Sequence, residues 1–232
     1  VLEIGMGCGA ITGALCRSVS RVEGVEISPR RAEIAAWRHK NCENLIIHVG
    51  NLNDMNIIRK FDYVTLIGVL EYAGSFTHTS DPYKDFLQAC RQYLKPGGQL
   101  IIAIENKFGL KYWSGAREDH TGKIFDGITG YKDNDKVRTF SKPELEKLLN
   151  DSGFYNLEWY YPFPDYKLPH RLYSDEYLPT AGVFEDKHFI YYDMERYVLF
   201  NEADAMNEIV TSGLFDMFSN SFLVYCSNGE KE

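Results

Sequence analysis

The chain has 232 residues, 44% hydrophobic and 25% charged, which supplies a folded core and suits one domain with insertions. A formal charge of −8, from 25 basic and 33 acidic residues, argues against a phosphate-backbone partner, and no run approaches the roughly 20 apolar residues of a membrane span. Cys8, Cys16, Cys42, Cys90 and Cys226 are scattered without a C-x-x-C pair, as expected of reduced thiols in a cytoplasmic protein and not of a zinc site.

The chain opens on Val1, inside an apolar run that reads as a strand over 1–4, so a native N-terminal segment is expected to be missing; no secretory signal is visible. A glycine-rich turn follows, then a helix over 10–19 and a strand over 22–26. Ser28 as N-cap and Pro29 at the first helical position start a second helix that runs to about residue 40. Strands are predicted at 45–49 and 61–67, the latter rich in β-branched and aromatic residues. Asp81-Pro82 starts a helix reaching residue 94, Lys95-Pro96-Gly97-Gly98 reads as a turn, and 99–104 as a fifth strand. Apolar strands alternating with helices predict parallel βαβ units in a doubly wound sheet, whose ligands bind beyond the carboxyl ends of the strands.

Beyond residue 104 the period is lost. Residues 105–139 read as a lid or substrate insertion. Ser141-Lys142-Pro143-Glu144 is a capping box that opens a helix over 141–151. A sixth strand is expected at 154–161 and a seventh at 222–226, separated by a second insertion, 162–220, with a helix over 202–214. The sixteen Tyr and fourteen Phe suit either an aromatic core or a pocket for a flat or sugar-like ligand.

In Glu3-Ile4-Gly5-Met6-Gly7-Cys8-Gly9 the glycines permit positive-φ turns and close ligand approach, and the following helix start adds N–H donors. Glu26 lies 17 residues beyond Gly9, at the end of the second strand, where a carboxylate can accept both hydroxyls of a ribose. The turn alone leaves two readings open, because Gly5-x-Gly7-x-x-Ala10 also satisfies a loose dinucleotide fingerprint.

VLEIGMGCG resembles the first motif of class I S-adenosylmethionine-dependent methyltransferases, and VEGVEIS their second strand with its ribose acid. FDYVTLIGVLEY and LKPGGQLIIAIEN resemble their fourth and fifth strands with flanking loops. The resemblance covers 1–106, in family order and spacing. It implies a seven-stranded, mostly parallel, Rossmann-like sheet whose last strand inserts antiparallel between strands five and six. It implies S-adenosylmethionine as cofactor: Gly5, Gly7 and Gly9 near its amino acid part, Glu3 helping to hold the ammonium, Glu26 on the ribose and Ile27 against the adenine. Asn51 stands where relatives carry an acid for the adenine amino group; its carbonyl still accepts, without the charge. Ile67, Gly68 and Leu70 would line the cofactor. Glu71 and Tyr72 fall where relatives often have Glu-His, although a capping or helix-face role also suits Glu71.

A hydroxyl acceptor gains from a general base. His120, in Arg117-Glu118-Asp119-His120, is the candidate, with Asp119 beside it; the alternative is a solvated surface loop. His39, His48, His78, His170 and His188 lack such company and read as structural or surface. A second resemblance, carried by IENKFGLKYWSG, EDHTGKIFDGITGY, RTFSKPELEKLL, YPFPDYKLP and YSDEYLP, is to methyltransferase domains of bacterial surface-polysaccharide assembly. It implies a glycan or activated-sugar acceptor, glycosyltransferases of the same pathway as partners, and Asn106, Lys107, Tyr112, Trp113, Tyr166 and Tyr173 as acceptor-binding residues. Two alternatives are a catalytically silent binding domain on the same fold and a nicotinamide-dependent oxidoreductase.

Overall fold

The computed structural model describes residues 1–133, 136–184 and 196–229. The first half alternates as expected: β1 (Leu2–Ile4), α1 (Thr12–Ser18), β2 (Val22–Glu26), α2 (Pro29–Arg38), β3 (Leu45–Val49), β4 (Phe61–Ile67), α3 (Ala73–Phe76), α4 (Pro82–Gln92) and β5 (Leu94–Glu105). Then follow α5 (Leu110–Trp113), α6 (Lys142–Asp151), β6 (Tyr155–Phe163), β7 (Arg171–Ser174), α7 (Glu202–Thr211), α8 (Phe215–Phe218) and β8 (Ser221–Ser227). The second predicted insertion is described only in part, since 185–195, which contains His188, lies outside the described residues.

The sheet runs β3-β2-β1-β4-β5-β8-β6-β7. β1 pairs parallel with both β2 and β4, and β2 with β3. Every residue of β1 and β2 is buried, Glu3, Glu23 and Glu26 included, which marks them as central strands. The C-terminal strand lies between β5 and β6, where the resemblance puts it. The sheet has eight strands, not seven. The extra one, β7, pairs antiparallel with β6 inside the stretch expected to be an insertion. It escaped notice because Arg-Leu-Tyr-Ser is a short edge strand with mostly solvent-facing side chains. β5 also begins at Leu94, five residues before the expected start. The Lys95–Gly98 stretch is held to the C-terminal end by Asn228, whose N–H donates to the Gly98 carbonyl (2.9 Å) and whose amide donates to that of Lys95 (3.2 Å).

The chain divides into two compact units. The first comprises Val1–Ile102, Leu148–Leu157 and Tyr225–Glu232; the second, Ala103–Lys147 and Glu158–Val224. The first has an aliphatic core that includes Leu2, Val64, Leu66, Leu87 and Leu100. In α2, Ser28 accepts the Arg31 N–H as N-cap, and Ala32 and Ala35 form the buried stripe. The second unit has an aromatic core: Phe184 packs on Phe163 (4.7 Å between centroids), Tyr173 on Phe215 (5.3 Å) and Phe222 on Trp159 (5.3 Å). Much of the Tyr and Phe content therefore serves packing. The five cysteines are free thiols, with Cys90 and Cys226 buried. No helix among the described residues is long and apolar enough to cross a membrane.

Candidate active site

In the first unit the turn leaving β1 is fastened to β2 by main-chain bonds. Gly5 and Met6 N–H both donate to the Val25 carbonyl (2.8 and 3.1 Å). Gly5, Gly7 and Gly9 all have positive φ, so the backbone conformation itself selects glycine. Their surroundings differ. A Cβ on Gly5 would sit 2.4 Å from a Val69 methyl, and one on Gly9 2.6 Å from the His39 ring, whereas one on Gly7 would meet nothing within 4 Å. Gly5 and Gly9 are thus packed, while Gly7 faces open space.

Glu26, buried at the end of β2, is held by two main-chain donors: Gly7 N–H to Oε2 (2.8 Å) and Ser28 N–H to Oε1 (2.9 Å). Each oxygen keeps a further lone pair. Glu26 lines a cavity of about 350 Å³ with Gly5, Ile27, Asn51 and Gly68 of the expected residues. Tyr72, singled out with the fourth-strand motif, lines it as well, as do Arg31 and Phe76, which were not anticipated because they come from separate segments that only the fold assembles. Ile67 and Leu70 flank the lining residues Gly68 and Val69; Leu70 is fully buried in the turn Leu70–Tyr72. Asn51 caps the Leu52–Asp54 turn by accepting the Asn53 N–H (3.1 Å), and its amide donates to the Phe76 carbonyl (3.2 Å). Glu3 is buried behind the turn and accepts from the Thr12 hydroxyl (2.6 Å). Burial pushes its carboxyl up to about 7, against the pull of the Thr12 bond.

In the second unit the acceptor-side candidates separate into two groups. His120 is almost wholly buried, and its Nδ1 lies 3.0 Å from Glu118 Oε1. Asp119, expected to accompany His120, turns the other way. It pairs with Lys111 (2.9 Å) and Lys167 (2.7 Å) and accepts from the Tyr112 hydroxyl. Burial alone would raise its carboxyl, but the two ammonium groups hold it well below the usual carboxylate range. Lys111 also pairs with Asp165 (2.9 Å), and Lys167 with Glu105 (2.7 Å). The carboxylate beside the imidazole is therefore that of Glu118. Glu118 caps the turn that follows it, accepting the N–H groups of His120 and Thr121, and this brings its carboxylate beside the ring.

Several expected acceptor-binding residues are turned inward. The Asn106 amide donates to the carbonyls of Met217 and Ser219 (2.8 Å each), and its own oxygen accepts the Phe108 N–H (2.9 Å). Tyr173 belongs to the aromatic core, and Tyr112 is buried against Asp119. These three are corrected from acceptor contacts to internal supports, because their polar or ring surfaces are already engaged inside the unit. Lys107 pairs with Glu144 (2.6 Å). Tyr166 is half-buried, and Trp113, 40% exposed, presents its indole beside Phe108 and Phe218.

A methyltransferase-domain model matches residues 2–100. Demethylmenaquinone methyltransferase of Tropheryma whipplei (strain Twist) is 30% identical over 102 residues, 44% of this chain and 40% of that protein. Ubiquinone biosynthesis O-methyltransferase of Cereibacter sphaeroides (strain ATCC 17025 / ATH 2.4.3) is 30% identical over 110 residues, 46% of this chain and 41% of its own length. The chain thus spans about two fifths of the length of these curated relatives. Among solved structures, a SAM-dependent methyltransferase from Thermotoga maritima matches with a TM-score of 0.55 at 19% identity, covering 98% of this chain and 80% of that one. The N-methyltransferase NodS from Bradyrhizobium japonicum WM9, in complex with S-adenosylhomocysteine, gives 0.52 at 15%, covering 99% and 77%. At these identities the two structures establish a shared fold.

Proposed function

Starting from residues 2–100 as an S-adenosylmethionine-dependent methyltransferase domain, we propose that the protein methylates a hydroxyl of a glycan or activated sugar. The observation that carries the cofactor assignment is Glu26: a buried carboxylate, fixed by two main-chain N–H groups, on the wall of a cavity within the usual size range of small-ligand sites. Glu26 would take the ribose hydroxyls, and Ile27 would face the adenine. Asn51 retains one carbonyl lone pair for the adenine amino group. Gly7, open where Gly5 and Gly9 are packed, would let the amino acid part approach the backbone, with the Glu3 carboxyl serving its ammonium. The cofactor supplies a methyl on a sulfonium: the acceptor oxygen forms the new C–O bond, the C–S electron pair leaves with sulfur, and the hydroxyl proton passes to a base. His120 is the base we assign.

The glycan assignment is supported by the second unit. Exposed Trp113 would offer an apolar face for a sugar ring, and half-buried Tyr166 would stand beside it, while Lys107, expected as a further contact, is engaged by Glu144. Glycosyltransferases of the same pathway, in the cytoplasm, are the corresponding partners. The curated relatives' names favour a second acceptor class, a compound of quinone biosynthesis. The domain match ends at residue 100, however, and the second unit begins at Ala103, so the match carries the cofactor half and not the acceptor groups.

The test has two stages. S-adenosylhomocysteine should raise the melting temperature and NAD should not. Isotope-labelled cofactor is then offered with nucleotide sugars, oligosaccharides and quinol analogues. Label on sugars supports the reading. Label only on quinols overturns the acceptor class, and tight cofactor binding with no transfer to any acceptor favours a silent binding domain.

A further inference from the structure

We infer that Glu118 is the positioning residue for His120, fixing which ring nitrogen can receive a proton. The inference rests on the proposed role of His120 as base.

The Glu118 side chain is 2% exposed, and its carboxylate gathers four donors. Oε2 accepts the main-chain N–H of His120 (2.8 Å) and of Thr121 (2.7 Å). Oε1 accepts from the Tyr131 hydroxyl (3.0 Å) and faces His120 Nδ1 (3.0 Å). Tyr131 is itself anchored, within 2.7 Å of the Thr139 hydroxyl and accepting the Thr139 N–H (3.1 Å). The carboxylate therefore has no rotational freedom. Its neighbours also keep it ionised: burial pushes the carboxyl up, but the bonds from His120 and the two N–H groups hold it below its ordinary value.

An ionised carboxylate only accepts, so the short Nδ1 contact requires the proton on Nδ1. Neutral His120 is then the Nδ1–H tautomer, with the basic lone pair on Nε2. The acceptor's hydroxyl proton would move to Nε2. The resulting imidazolium would lie between Glu118 and the wholly buried Glu105, whose Oε2 is 3.8 Å from Nε2. Lys167, paired with the other Glu105 oxygen at 2.7 Å, tempers that second charge. Tyr131 and Thr139 become the outer supports of the same proton-transfer group.

Nitrogen-15 NMR of histidine-labelled protein reads the tautomer without any acceptor. Wild-type His120 should show a protonated Nδ1 at neutral pH, and Glu118→Gln should give mixed tautomers. A wild-type Nε2–H tautomer, a ring protonated on both nitrogens at neutral pH, or an unchanged spectrum in Glu118→Gln, overturns the inference. Kinetics on whichever acceptor takes the label supply the second reading. Glu118→Gln should lower kcat on the order of 10²-fold with little change in KM, and Glu118→Asp should recover part of the loss. The Glu118→Gln, His120→Ala double variant should be no slower than His120→Ala alone. Additive losses would mean that Glu118 acts by another route. Wild-type turnover in His120→Ala refutes the base assignment itself, and the tautomer measurement separates that failure from a wrong assignment of Glu118. Where Glu118→Gln fails to fold, the same spectra and rates are taken on Glu118→Asp, in which the shorter side chain should loosen the Nδ1 contact and mix the tautomers; an unchanged spectrum there overturns the inference.

Discussion

Replacing Glu3 by Gln should remove a pH dependence of stability that the fold itself creates. Glu3 is 4% exposed and has one hydrogen bond, from Thr12, so its charged form is poorly solvated and its carboxyl is pushed up to about 7 from 4.5. Below pH 4.5 the folded and unfolded chains both hold the proton and Glu3 is neutral to stability. Between 4.5 and 7 the unfolded chain releases it while the folded chain keeps it. The folded state then binds more protons, and stability falls as pH rises. Above 7 the penalty is complete, at about 3 kcal/mol from about 1.4 kcal/mol per pKa unit. For a protein of this size that corresponds to roughly 6–12 °C. Melting curves from pH 5 to 8.5 without cofactor should show wild type losing that much relative to Glu3→Gln; titrations shared by both proteins cancel in the difference. Parallel curves would refute the buried-acid reasoning. Saturating S-adenosylhomocysteine adds a second arm: an ammonium set near Glu3 should pull its proton off and flatten the wild-type slope.

Glu26→Gln keeps the volume but loses the charge that Gly7 and Ser28 N–H address, and should weaken S-adenosylhomocysteine binding by about 1.5–3 kcal/mol, or roughly 10- to 150-fold, by calorimetry. Gly5→Ala combines a φ of +69° with a 2.4 Å approach to Val69 and should unfold at a clearly lower temperature than Gly7→Ala, which bears only the positive-φ strain of roughly 1 kcal/mol; equal melting temperatures would show that the turn is not packed as described. Lys111→Met leaves Asp165 without its ammonium partner and Asp119 with Lys167 alone, and should cost about 3 kcal/mol in denaturant unfolding. Asp119 is held below the usual carboxylate range, so its contribution is present above the unfolded value near 4 and should be lost in wild type only in stronger acid.

The first unit was legible because its signals are local. Val1 to Ile4 announces a buried strand, the three glycines announce positive φ, and Ser28-Pro29 announces a helix start within two residues. The strands at 45–49 and 61–67 were placed to the residue for the same reason. In the second unit the determining pairs are far apart in sequence. Asn106 is answered by Met217 and Ser219, Lys111 by Asp165, and Asp119 by Lys167. No periodicity reports such partners, so the motif residues could be named while their inward direction could not.

The same contrast bears on why similarity concentrates at 2–100. The turn beside the proposed cofactor cavity is fixed by main-chain groups: the N–H donors of Gly7 and Ser28 hold Glu26, and the turn is pinned through the Val25 carbonyl. That arrangement demands glycine at a few positions and one carboxylate. The second unit is ordered by interlocked side chains, where altering one partner strands a buried charge on another. Lys111 cannot change without Asp119 and Asp165, nor Glu118 without Tyr131 and His120. A chain that needed a new acceptor would therefore keep the first unit and replace the second network as a whole. Exchanging the linked set Glu105, Lys111, Glu118, Asp119, His120 and Lys167 together, rather than one member at a time, should be the change that keeps the second unit folded, with denaturant unfolding as the measurement.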